Sequence, residues 1–127
     1  MAAALGESAE LLILKLDVTK PADAESAVKT AVEKLGSLDV LVNNAANFYA
    51  GFFEELTPEQ MERQLSTSLI GPMNVTRAVL PVMRKQRSGH IIAISSTAGL
   101  TSLEFCSAYS ASKFGLEGFI QALQTEV

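Results

Sequence analysis

Residues 107–119 read SAYSASKFGLEGF and place Tyr109 and Lys113 four positions apart among small residues. On a helix, positions i and i+4 share a face. A free phenol titrates near pH ~10 and is a weak base at neutrality. An ammonium beside it favours the phenolate, which suits the pair to proton transfer. Ser96 lies upstream in HIIAISSTAG and can offer a hydroxyl to the same reacting oxygen. A hydroxyl donor, a tunable phenol and a cation together suit proton exchange with an alcohol or carbonyl oxygen. Taken alone, the Tyr–Lys pair reads better as a surface tyrosine beside a solvated lysine. The surrounding elements change that balance.

Residues 11–16 (LLILKL) are apolar at nearly every position, the pattern of a strand covered on both faces. Pro21 opens a segment with Ala24, Ala27, Val28, Ala31, Val32 and Leu35 at helical spacing, and Gly36 follows as its stop. Residues 38–42 (LDVLV) predict a second buried strand, ending in the turn-forming NNAAN. Thr57-Pro58 is a helix start, and the helical pattern runs to about Gln86 with a kink expected at Gly71-Pro72. Residues 90–94 predict a third strand. A last helix begins near Ser107 and is expected to run to the end of the chain.

Strand and helix thus alternate three times. That order implies a parallel sheet with right-handed helical crossovers. In such sheets ligands sit beyond the carboxyl ends of the strands. The polar clusters fall at those ends: Asp17-Val18-Thr19, Asn43-Asn44-Ala45-Ala46 and Ser95-Ser96-Thr97.

In these motifs and their order the chain resembles a short-chain dehydrogenase/reductase. The resemblance spans essentially all of residues 1–127. It implies one partial α/β domain, a Rossmann-like doubly wound parallel sheet that is incomplete, with three strands alternating with three helices. It implies interconversion of an alcohol and a carbonyl by hydride transfer with NAD or NADP, on a small-molecule substrate. Tyr109 would be the general acid/base, Lys113 would hold the nicotinamide ribose and favour the phenolate, and Ser96 would orient the carbonyl. Asp17 would hydrogen-bond the adenine beside the Val18 backbone, and Asn43, Ala45 and Ala46 would line the cofactor. The family's glycine-rich phosphate turn would precede this stretch, and its substrate-covering loop would follow it. The chain therefore reads as the middle of a longer enzyme, inactive or impaired as it stands. MAAALGESAE resembles the tail of the helix before the family's third strand, which residues 11–16 match here. The alternative is a non-catalytic binding or assembly fragment.

Two positions depart from the family pattern. Ser68 stands where an asparagine is expected to organise a proton relay, and serine offers no amide. Ala46 stands where glycine is expected: either its methyl group crowds the cofactor or a positive φ there does not suit it, or the backbone simply tolerates alanine.

The chain has 127 residues, of which 48% are hydrophobic, enough for a core. A net charge of −4 argues against nucleic acid or an anionic membrane as partner. No apolar stretch is long enough to span a bilayer, and no basic segment marks a signal peptide. Cys106 is the one cysteine, so no internal disulfide forms. Cytoplasmic location and homo-oligomerisation through the long helices are expected, with no metal site. His90 reads as a turn residue at the wrong end of its strand for a ligand, and Cys106 as a small filler. Arg84, Lys85 and Arg87 read as complements to a helix dipole. Among the aromatics, Tyr49 and Phe105 are better candidates for a substrate pocket than Phe52 and Phe53.

Overall fold

The structure, a computed structural model, describes residues 11–127. The segment expected to resemble a preceding helix lies outside them. Helix α1 spans Pro21–Leu35, with proline in its first turn, Asp23 at its positive end and Lys34 at its negative end. Gly36 ends it at φ 86°, its N–H donating to Val32 O. Strand β1 (Val40–Asn43) follows.

Helix α2 (Pro58–Leu65) begins with a reciprocal cap. The Thr57 hydroxyl accepts the Gln60 N–H, and the Gln60 side chain accepts the Thr57 N–H. The backbone then widens into one π-helical turn, Ser66–Ile70, before α3 (Gly71–Gln86). The expected break at Gly71-Pro72 is therefore made one turn earlier, as a bulge. Proline has no N–H for the carbonyl four residues back. The Gly71 N–H reaches five residues back instead, to Ser66 O. Strand β2 (His90–Ala93) and helix α4 (Ser107–Leu123) complete the order. Helix α4 stops short of the chain end, and the last residues form a turn.

β1 and β2 pair in parallel, Val40 beside His90 through Asn43 beside Ala93. Residues 11–16 form no strand, which corrects the three-strand expectation to two. A strand is held by ladder hydrogen bonds, and among the described residues no neighbour offers them to this segment. Its apolar side chains are largely exposed.

One face of the sheet, through Leu41 and Ile91, packs on Ala24 and Val28 of α1 and on Val75, Val79 and Met83 of α3. Val18 joins this core from the turn before α1. The other face is bare, with Val42 51% and Ile92 46% exposed. The strand over residues 38–42 is thus half-covered, not buried. An apolar run shows what a strand can bury; the covering layer must come from elsewhere in sequence.

Candidate active site

The chain leaves β2 through Ile94 and Ser95 into a short turn, Thr97–Gly99, that lies against α4. The Ser96 hydroxyl accepts the Ala98 N–H at 3.2 Å and so caps that turn. Gly99 permits the close approach. A Cβ there would lie 3.0 Å from both the Lys113 carbonyl oxygen and Ser95 Oγ. Two serine hydroxyls, Ser95 and Ser110, are buried here without a partner.

Tyr109 and Lys113 stand on successive turns of α4, as the spacing predicted. Lys113 is only 3% exposed. A buried ammonium requires compensation. Its Nζ donates to Ile94 O at 2.7 Å and lies 5.7 Å from the centre of the Tyr109 ring. The bond ties α4 to the end of β2, where Ser96 begins its turn. An ammonium has three N–H donors, so this one retains capacity for a polyol ligand. Tyr109 also meets Phe48 edge to face, with ring centres 4.9 Å apart. Tyr109, Lys113 and Ser96 are thus gathered at the carboxyl end of β2, with Phe48 from the loop after β1.

That loop is held by a polar network that sequence reasoning missed. Gln64, 0% exposed on α2, donates from Nε2 to Asn47 O and to Ser68 Oγ, each at 2.8 Å. Its Oε1 accepts the Tyr49 N–H at 3.1 Å. Ser68, buried in the π turn, also meets the Asn47 backbone and side chain at 3.3–3.4 Å. The Asn47 amide donates to Arg63 O and Thr67 Oγ1. Ser68 lacks the expected amide, but Gln64 supplies one a turn earlier. The signal in the sequence was the one-turn spacing of Gln64 and Ser68. Nothing in that spacing showed that the loop would close over them.

The expected cofactor residues divide by exposure. Asp17 is half-exposed and closes its own turn, accepting the Thr19 N–H at 3.0 Å and the Thr19 hydroxyl at 2.7 Å. These bonds, the hydroxyl first, hold its carboxyl below the usual 3.8, with Lys20 adding to the effect. The Val18 carbonyl accepts from Asn74 Nδ2 on α3. The Asn43 side chain turns inward and donates to Thr76 Oγ1 at 3.0 Å, so it anchors β1 to α3. Ala45 and Ala46 are exposed just beyond β1. Ala46 does not take a positive φ, which among the described non-glycine residues occurs only at Arg87 and Phe105. The backbone therefore tolerates alanine at 46 without strain.

Beside the site lies a recess of about 580 Å³ walled by Phe52, Phe53, Leu103 and Phe105, with Ser110 in its lining. Phe105 sits at φ 57°, uncommon for a bulky residue. It is held there by the Gly51 N–H on its carbonyl at 2.9 Å and by the Phe52 ring, edge-on at 5.0 Å. Tyr49 is absent from the lining, so Phe52 and Phe53 replace it as wall candidates. His90 is exposed at the amino end of β2, and Cys106 is a buried free thiol ahead of α4. Arg84 and Lys85 occupy the last turn of α3, and Arg84 also donates to Glu126 O. Among the described residues no cluster of side chains could hold a metal, and no helix is long and apolar enough to cross a membrane.

The model of the short chain dehydrogenase family matches residues 1–127. Over 115 residues the chain is 42% identical to 3-ketodihydrosphingosine reductase of Bacteroides thetaiotaomicron, covering 91% of this chain and 43% of that protein. It is 39% identical to dehydrogenase/reductase SDR family member 7B of Bos taurus, covering 87% of this chain and 34% of the relative. The chain thus spans less than half the length of these curated relatives. A short-chain dehydrogenase from Streptomyces avermitilis superposes with a TM-score of 0.85 at 38% identity, covering 90% of this chain and 42% of that structure. A variant actinorhodin polyketide ketoreductase, solved with NADPH, gives 0.84 at 38%, covering 87% and 43%.

Proposed function

The chain belongs to the short-chain dehydrogenase family, and from that premise we propose that the protein carrying it interconverts an alcohol and a carbonyl with NAD(P)(H). The observation that carries this reading is the buried Lys113 ammonium, fixed by Ile94 O with its remaining donors uncommitted, one turn from Tyr109.

The residues fit a nicotinamide dinucleotide. Lys113 offers N–H donors suited to ribose hydroxyls. Asp17 is ionised and half-exposed in the turn before α1. Ala45 and Ala46 present small, exposed side chains just beyond the carboxyl end of β1. The cofactor, when bound, supplies the hydride. The chain supplies position and a proton. Tyr109 exchanges its phenolic proton with the substrate oxygen. Lys113 holds its ammonium beside the Tyr109 ring and Ser96 orients the oxygen. The aromatic wall of Phe52, Phe53 and Phe105 suits an apolar substituent on the carbonyl. The reductase of a long-chain ketone among the relatives is in keeping with that.

The test is turnover of aliphatic and polar ketones with NADPH and NADH, followed by loss of reduced-nicotinamide absorbance. Tyr109→Phe is expected to lower kcat/KM by about 10²- to 10⁴-fold, the usual worth of a positioned acid/base. Equal activity in wild type and variant would remove Tyr109 from the chemistry. A preference for small polar ketones would remove the aromatic wall from the specificity.

A further inference from the structure

Gln64 is an anomaly within α2. The other polar residues of that helix are partly or fully exposed, yet Gln64 is fully buried with both ends of its amide used. Its Nε2 takes Asn47 O, and its Oε1 takes the Tyr49 N–H. Those two backbone groups flank Phe48. The amide therefore clamps the chain on both sides of the residue whose ring meets Tyr109 edge to face at 4.9 Å. Phe48 is itself 57% exposed, so packing alone does not fix it. Ser68 completes the clamp, receiving the second Nε2 hydrogen bond and touching the Asn47 backbone. A buried amide with three satisfied bonds is costly to disturb, because removing it orphans its partners.

We propose that Gln64 is a positioning residue for Tyr109, acting through the loop 47–49 and the Phe48 ring. The path runs from a buried amide on α2, through two backbone hydrogen bonds and the Phe48 ring, to the Tyr109 ring. Lys113 meets the same ring from within α4, so Tyr109 has contacts from two elements. This role rests on the proposed acid/base function of Tyr109. The contact itself can be read without any turnover.

The chain contains two tyrosines and no tryptophan. In a Tyr49→Phe background, which keeps the Tyr49 backbone N–H that Gln64 uses, Tyr109 is the sole tyrosine. Its ring resonances, observed with ring-labelled tyrosine, report the Phe48 ring current. Gln64→Met conserves volume and removes the amide. It is expected to move the Tyr109 ring resonances to where Phe48→Leu places them, and to do nothing further in the Phe48→Leu background. If Gln64→Met does not fold, Ser68→Ala, which removes one arm of the clamp, is expected to shift them the same way and less. In the active protein the same Gln64→Met change is expected to lower kcat by roughly 10- to 100-fold with KM for the cofactor unchanged, the cost of a displaced catalytic group. Unmoved Tyr109 resonances in folded variants would overturn the proposal. So would a shift of the same size in the Phe48→Leu background, since the path would then not run through Phe48. A protein that shows the resonance shift but reduces no carbonyl would leave the clamp standing and defeat the oxidoreductase reading alone.

Discussion

Single residues divide into those whose chemistry is local and those whose chemistry depends on distant partners. Tyr109, Lys113 and Ser96 were legible because helical spacing and a strand end are local facts. Gln64 was not, because its worth comes from a loop that closes over it from 15–17 residues away. The Asn43 amide, which reaches Thr76 of α3, was hidden for the same reason. Asp17 is local again, and its titration leads to a pH prediction. Its folded-state pKa is depressed below 3.8, chiefly by the Thr19 hydroxyl. The turn's contribution is therefore in place above that value and is lost as the pH falls through the folded pKa. Asp17→Asn should remove this small part of the acid dependence, seen as a shallower fall of melting temperature in the acid range. An unchanged acid slope would show that the Thr19 bonds do not stabilise the folded chain.

Among the elements, the π turn between α2 and α3 has the largest consequences. It lets Ser68 face Asn47 and Leu69 approach Gly115 on α4, where a Cβ would come within 2.9 Å of Leu69. At its far end Gly71 admits Val18. A Cβ at 71 would lie 2.6 Å from Val18 Cγ2, and valine has no flexible side-chain end that could swing clear. Gly71→Ala is expected to destabilise the fold by about 1–3 kcal/mol. Chemical denaturation can measure this. A cost under about 0.5 kcal/mol, the range of a neutral surface change, would mean that the turn before α1 moves aside freely. Helix positions were well marked in the sequence by Pro21, Gly36, Thr57 and Pro58. The exact site of the bulge was not, because Gly71-Pro72 signals a break without saying which carbonyl will absorb it.

For the whole molecule, the sheet's bare face sets the behaviour. Among the described residues the helices all lie on one side, and Val40, Val42, Ile92 and Ile94 are exposed on the other. An apolar surface of that kind associates. The isolated chain should self-associate with rising concentration in sedimentation velocity, and Val42→Lys should weaken that association. A concentration-independent monomer would overturn the expectation. The α/β class and strand direction were readable from the alternation of elements. Which strands would find partners was not, since pairing depends on segments remote in sequence. The parallel register of β1 and β2 has a further consequence. Its hydrogen bonds join residues 40–43 to 90–93 across all of α2 and α3. In a nascent chain leaving the ribosome, the edge of β1 that takes β2 must therefore stay open until the whole crossover has been synthesised. Translation speed through residues 44–89 then sets how long that edge stays open.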